Sequence, residues 1–177
     1  MVVAEAARLV DLEGAGALTL RAVADSFGVA QPSLYKHIGG LDDLHHRLAV
    51  VAAHDLGTAL RRSASGKATA DATRAVAAAY RRYARQHPGC YAYLLRPRTD
   101  DDEHTRASAE ILEVMYDVLS GYGIVEDTDR VDATRFLRSA LHGFVSLETA
   151  GGFAMARSVD RSFDRSVRAL DAALRDW

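Results

Sequence analysis

Residues 18–44 read LTLRAVADSFGVAQPSLYKHIGGLDDL. Leu20, Val23, Ala24 and Phe27 recur at the spacing of a short helix with one buried stripe. Thr19 precedes them, where a hydroxyl caps a first turn. Gly28 ends that helix, and a turn there calls for a positive φ, which glycine adopts without strain. Pro32 is tolerated only in a first helical turn, so a second short helix begins near Gln31. Leu34 and Ile38, four apart, face inward, and Gly39-Gly40 closes the segment. Ala24 is small where the helices cross, and Val29 is expected to fill the angle between them. Two short helices joined by Gly28-Val29-Ala30 predict a helix-turn-helix.

The flanks are helical too. Val2 to Glu13 is amphipathic, with Val2, Ala6, Leu9 and Val10 on one face, and Gly14 and Gly16 stop it. A long helix starts at Leu41, with Asp42 and Asp43 at its positive end, and runs to about Ser63. After the polar break Ser65-Gly66-Lys67, a second long helix spans about Ala70 to Gln86, and a short piece covers Cys90 to Leu95. Arg96 to Glu103, with Pro97 and three consecutive Asp, reads as a loop. Thr105 to Tyr122 is helical, with Ala109, Leu112, Met115, Tyr116 and Leu119 on one side. Asp127 to Thr149 follows, stopped by Gly151-Gly152. In the last helix, Asp160 to Asp176, the apolar residues Phe163, Val167, Leu170, Leu174 and Trp177 form a narrow seam suited to packing on another helix. The fold class is therefore all-α with about nine helices. The expected division is a three-helix helix-turn-helix head over residues 1–46 and a helical body over residues 47–177.

Of the 177 residues, 49% are hydrophobic and 26% charged, ordinary for a globular chain with a real core. Only 3 are Pro, and Val and Ile do not gather into alternating runs, so sheet is not expected. Cys90 stands alone and cannot form an internal disulfide, which suits a reducing cytoplasm. No apolar run approaches a membrane span, and Met1 to Glu5 carries no basic leader, so neither membrane nor export is expected. The net charge of -2 lacks the global basic excess common among nucleic-acid binders, but phosphate contacts need only a local patch.

The residue order of 18–44 resembles the N-terminal domain of the tetracycline-repressor (TetR) family, through Leu34-Tyr35-Lys36-His37 and then Leu41-Asp42-Asp43-Leu44. The resemblance covers the first fifty residues or so, including the first helix and the Gly16 to Thr19 approach. A weaker likeness, in Leu141-His142-Gly143-Phe144, Leu147-Glu148 and Gly151-Gly152-Phe153, is to the subgroup with a Trp-His-Gly signature, with Leu141 in the place of the Trp. The resemblance implies a homodimer on a double-stranded DNA operator, a small-molecule effector held among the middle helices, and a dimer interface from the last two long helices. Gln31, Pro32 and Ser33 then open a recognition helix; Gln31 suits adenine and Lys36 guanine or a phosphate. Tyr35, His37, Thr19 and Arg21 would contact the backbone, as would the N–H groups of Leu41 and Asp42. The dimer residues would be Leu137, Leu141, Phe144, Val145, Phe163, Val167, Leu170 and Leu174. The effector candidates are Tyr80, Tyr83, Tyr91, Tyr93, Met115, Tyr116, Phe136 and His142.

The chain departs from the family pattern in places. Ala30 cannot cap where Ser or Thr is common, Leu41 replaces a frequent Lys, and the usual basic arm before the first helix is missing or trimmed. The head is acidic: Arg8, Arg21, Lys36 and Arg47 face Glu5, Asp11, Glu13, Asp25, Asp42 and Asp43.

Blander readings stand beside these. Tyr35 can pack on its own helix, His37 can be a plain surface residue, and the tyrosines can be ordinary core. The last seam can pack within one subunit, and the pairs Arg61-Arg62 and Arg81-Arg82 read as solvated faces. His45, His46, His54, His87, Cys90 and His104 lack metal-site spacing, so no metal or cofactor is expected, and Cys90 has no resolving partner. There is no phosphate loop, nucleophile elbow or zinc-helix motif, so the chain is not read as an enzyme. The alternative to a DNA-binding regulator is a helical ligand-binding or scaffold protein with weak or lost DNA affinity.

Overall fold

The computed structural model describes residues 1–95 and 102–177, and it is helical throughout, with no strand among those residues. The helices are α1 (Val2–Glu13), α2 (Leu20–Ser26), α3 (Leu41–Ala64), α4 (Thr69–Gln86), α5 (Pro88–Tyr93), α6 (Asp102–Ser120), α7 (Asp127–Thr149) and α8 (Val159–Arg175). A 3-10 helix, Gln31–Lys36, stands between α2 and α3, and a 3-10 turn, Ala15–Ala17, between α1 and α2. The expected loop over 96–103 lies outside the described residues as far as 101; α6 begins at Asp102, three residues before the expected helix start.

The chain divides into two compact units. One comprises Met1–Asp55 with Gln86–Ser108, the other Leu56–Arg85 with Ala109–Trp177. The unit that carries the helix-turn-helix thus takes in a second stretch of chain beyond residues 1–46.

The first unit is built on α1. Ala6 and Val10 are fully buried with Val23, Leu44, Leu48 and Ala52, and Cys90 and Tyr93 of α5 join the same cluster. Gly89 explains how α5 comes so close. A Cβ there would lie 1.9 Å from the Val10 carbonyl oxygen, so only glycine fits. The Asp11 carboxylate then accepts the Cys90 N–H at 2.8 Å, and its other oxygen lies 2.8 Å from His87 Nδ1. A side chain of α1 therefore caps α5, whose own N-cap residue, His87, makes no side-chain capping bond.

The second unit has α7 and α8 packed on each other. Leu137, Leu141 and Val145 of α7 are buried, as are Phe163, Val167, Leu170 and Leu174 of α8. Tyr122, just after α6, donates to Asp171 of α8 at 2.7 Å and shares a 2.8 Å hydrogen bond with Thr73 of α4.

Arg81 corrects the expectation of a solvated face. Its side chain is only 11% exposed, and its Nε donates to Glu148 Oε2 at 2.7 Å. Asp160 lies 2.7 Å from the same guanidinium, which sits 4.7 Å from the centroid of the Phe163 ring. The reason lies in the helical register. Glu148 continues the buried stripe of Leu141 and Val145, and a carboxylate there requires a cation.

Candidate nucleic-acid interface

Thr19 caps α2 as expected, its Oγ1 accepting the Ala22 N–H at 3.0 Å. The hydroxyl hydrogen remains available to an outside acceptor. Gly28 has φ +64°, and the Val29 N–H returns to the Ala24 carbonyl at 3.1 Å, closing the turn. Val29 does not fill the inter-helix angle; it is 42% exposed, and buried Val23 and Ala24 supply that contact.

The segment after the turn is a 3-10 helix of six residues, Gln31–Lys36, with Pro32 in its first turn. Leu34 and Ile38 are buried and hold it to the head, and the Ile38 N–H bonds the Leu34 carbonyl at 3.1 Å. In a 3-10 helix, side chains three apart eclipse. Tyr35 therefore stands over Pro32 and Lys36 over Ser33, giving two outward ridges on either side of the Leu34 anchor. Gln31, Pro32, Ser33, Lys36 and His37 are exposed, and Tyr35 is 55% exposed despite its large ring. A cleft of about 220 Å³ beside them is lined by Met1, Val2, Val3, His37, Ile38 and Arg47.

The electrostatics of this face moderate its acidity. Asp43 accepts the Gly39 N–H at 2.7 Å and Arg47 Nε at 3.0 Å. The Arg47 hydrogen bond, followed by the Gly39 N–H, holds the Asp43 carboxyl below its usual range. Glu5 pairs with Arg8 at 2.6 Å, and Arg21 approaches Asp25 at 3.7 Å. Several acidic residues of the head are thereby occupied by cations of the head. Lys36 has no carboxylate partner among the described residues, which leaves its charge for a ligand.

The body candidates divide between the units. Tyr91 and Tyr93 belong to the head unit, where both are buried and the Tyr93 hydroxyl lies 2.9 Å from His45 Nδ1. The break at Pro88 and the close seat of Gly89 on Val10 carry them there. Tyr80, Tyr83 and Met115 are buried in the other unit, Tyr116 and His142 are half-buried, and Phe136 is exposed beside Trp177, ring centroids 5.7 Å apart. Burial holds the His142 imidazole below its usual range, with Arg138 adding to the effect. A groove of about 320 Å³ in the same unit includes Arg61, Lys67, Asp117 and Gly121 in its lining, and none of these eight candidates lines it.

The proposed dimer residues need correction. Leu137, Leu141, Val145, Phe163, Val167, Leu170 and Leu174 are buried within the chain, and Phe144 lies half-buried against Phe153 and Phe163. The seven buried residues form the core of their unit and offer no surface, because the seam of α8 is taken up by its own chain. The large apolar side chains that α7 and the C-terminus do expose are Val131, Phe136, Leu147 and Trp177. Among the described residues, no group of three or more His, Cys, Asp or Glu could hold a metal ion. No helix of the described residues is long and apolar enough to cross a membrane.

Comparison with known proteins agrees with this architecture. Residues 2–47 match the profile described as bacterial regulatory proteins, tetR family, and residues 73–170 that of the tetracyclin repressor-like C-terminal domain. The chain is 39% identical over 152 residues to the HTH-type transcriptional regulator Rv0681 of Mycobacterium tuberculosis, covering 85% of this chain and 69% of that protein. It is 30% identical over 174 residues to the HTH-type transcriptional regulator YobS of Bacillus subtilis, covering 98% and 91% respectively. A TetR variant from Acinetobacter baumannii AYE, solved with minocycline, has the same fold: TM-score 0.72 at 21% identity, covering 99% of this chain and 94% of that chain. The chain belongs to the tetracycline-repressor family of helix-turn-helix transcriptional regulators.

Proposed function

We propose that the chain is a ligand-responsive repressor that binds a palindromic operator as a homodimer, through Gln31 to His37 of each subunit. The observation that carries this reading is the short helix held by buried Leu34 and Ile38, with every other side chain from Gln31 to His37 exposed. Gln31 and Ser33 would meet base edges, Lys36 a guanine or a phosphate, and Thr19, Arg21, Tyr35 and His37 phosphates. The role is regulatory and non-catalytic.

A two-fold operator requires a two-fold protein. The surface that supports one is the outer stripe of α7, Phe136, Ala140, Gly143 and Leu147, continued by Trp177 after α8. A Cβ on Gly143 would meet nothing within 4 Å, so a second helix can approach closely. The effector site is placed in the body around Tyr80, Tyr83, Met115, Tyr116 and His142. The minocycline complex of the TetR variant supports a small-molecule ligand there by analogy of fold. Leu141-His142-Gly143 supports a place in the Trp-His-Gly subgroup. An effector acts by preferring the spacing of heads that does not fit successive major grooves.

The test is capture of sheared genomic DNA by the full chain, followed by sequencing. A repressor enriches a palindrome, and Lys36→Ala weakens its capture. A scaffold with lost DNA affinity, the reading that the acidic head and Leu41 would favour, enriches no sequence and is indifferent to that substitution.

A further inference from the structure

We propose that Asp43 is a positioning residue for DNA reading: through the Gly39 N–H it fixes the joint between the Gln31–Lys36 helix and α3, and so the angle at which Lys36 and His37 meet the duplex. The inference rests on the DNA-binding reading above and adds a residue that sets its geometry by acting through Gly39. The joint is Gly39-Gly40. Two glycines in succession leave the backbone free to turn, and Gly40 takes φ +132°, which other residues rarely adopt. Leu34 and Ile38 pin the reading helix, but both lie on its inner face. A short helix held along one line can still tilt about that line, and base-edge hydrogen bonds are short and directional.

The Gly40 carbonyl accepts the Leu44 N–H at 3.1 Å, which makes Gly40 the N-cap of α3. A glycine there has no side chain to cap with, so half of a reciprocal cap is missing. Asp43, in the first turn of α3, supplies the other half: its Oδ2 accepts the Gly39 N–H at 2.7 Å. An added Cβ on Gly39 would stand 3.5 Å from that of Asp43, so the side chain lies over the joint. Arg47, one turn on, holds the carboxylate from the other side, its Nε 3.0 Å from each oxygen. Gly39 follows His37 and Ile38 directly, so the bond bears on the end of the reading helix that carries Lys36.

The sign of the effect separates positioning from plain electrostatics. Asp43 is an anion on the unit that meets a polyanion, and it occupies Arg47. On charge alone, its removal would strengthen DNA binding. A positioning role requires the opposite of any substitution that also removes the acceptor.

The experiment compares the full chain with Asp43→Ala and Asp43→Asn by fluorescence anisotropy, on the palindrome recovered from genomic DNA and on a scrambled duplex of equal length. Asp43→Ala is expected to bind the palindrome about tenfold more weakly, the loss of one hydrogen bond in each of two heads, and the scrambled duplex no more weakly than the parent. Asp43→Asn keeps a carbonyl oxygen for the Gly39 N–H and should bind the palindrome at least as well as the parent. Amide exchange of the DNA-free chains, followed by NMR, reads the joint directly: the Gly39 amide should be slowed in the parent and in Asp43→Asn, and fast in Asp43→Ala. The proposal is overturned if Asp43→Ala binds the palindrome as well as the parent or better, if it loses both duplexes equally, as partial unfolding would, or if Asp43→Asn weakens with it. Should Asp43→Ala not fold, the other two chains decide: a fast Gly39 amide in the parent, or weaker binding by Asp43→Asn, overturns the proposal. A parent chain that enriches no palindrome refutes the DNA reading itself and takes the role of Asp43 with it; enrichment by the parent with an indifferent Asp43→Ala refutes that role alone.

Discussion

Arg81 of α4 and Glu148 of α7 form a nearly buried ion pair, with Nε to Oε2 at 2.7 Å and side-chain exposures of 11% and 14%. The Arg81 hydrogen bond holds the Glu148 carboxyl below its ordinary range, and burial works against it. Removing one partner of such a pair leaves an uncompensated charge, so Arg81→Ala is expected to cost about 3–5 kcal/mol in a denaturant melt. The pH sign follows from the lowered value. The stabilisation is complete above the ordinary Glu value of 4.5 and is lost as pH falls below it. Glu148→Gln should flatten that part of the stability profile, and an unchanged profile would show the pair to be inert.

Gly89 tests the seat of α5 on α1. A methyl group at this position would collide with backbone, the Val10 carbonyl, which cannot swing aside as a flexible side chain would. Gly89→Ala should destabilise the chain by about 1–3 kcal/mol or more, the usual range for overpacking. Gly16→Ala, with open space around its Cβ, is the control and should fold normally. Equal melting of the two variants would contradict the close approach.

Cys90 is buried, and burial, with Asp11 adding to it, pushes its thiol up to about 12. Iodoacetamide should therefore label it at neutral pH only as fast as the chain unfolds. Because the folded value exceeds the ordinary 9.0, stability from this group is full below pH 9 and falls as pH rises toward 12. Rapid labelling of the folded chain would refute the assigned burial.

Operator affinity should depend on salt, but modestly. With few uncommitted cations on each head, a dimer is expected to give a log–log slope of about -4 to -6. Lys36→Ala should reduce its magnitude by about 2, one phosphate contact or so per subunit. A slope near zero in fluorescence anisotropy would be incompatible with DNA binding through this face.

The dimer surface can be separated from the core. Leu147 is 52% exposed on α7, whereas Leu170 of α8 is buried. Leu147→Glu should yield a folded monomer by light scattering. Leu170→Ala should lose about 2–5 kcal/mol of stability, as large-to-small core substitutions do. If Leu147→Glu remains dimeric, the interface lies elsewhere.

Local features of the head were legible in the sequence because they depend on neighbours in the chain. The Thr19 cap, the positive φ at Gly28 and the inward Leu34 and Ile38 each follow from residue type and spacing, and the structure bears them out. Periodicity reports that a face is buried, but not what buries it. The α8 seam was accordingly assigned to a partner, and its own chain occupies it. Arg81 looked solvated because its partners, Glu148 and Asp160, are more than sixty residues away in sequence. The run from Tyr80 to Tyr93 looked like one aromatic cluster, yet Pro88 and Gly89 turn its second half into the head unit. The 3-10 form of Gln31–Lys36 was hidden for another reason: the sequence marks where a short helix starts and stops, but not how tightly it winds.

The Asp11 cap on Cys90 and the burial of Tyr93 with α1 bear on how the protein is made. A ribosome that has released only the first fifty residues has delivered the whole DNA-reading motif, but not the piece that completes its packing. The head must then wait, partly formed, until Tyr93 clears the exit tunnel. Synthesis order alone therefore delays the full packing of this motif until α5 has emerged.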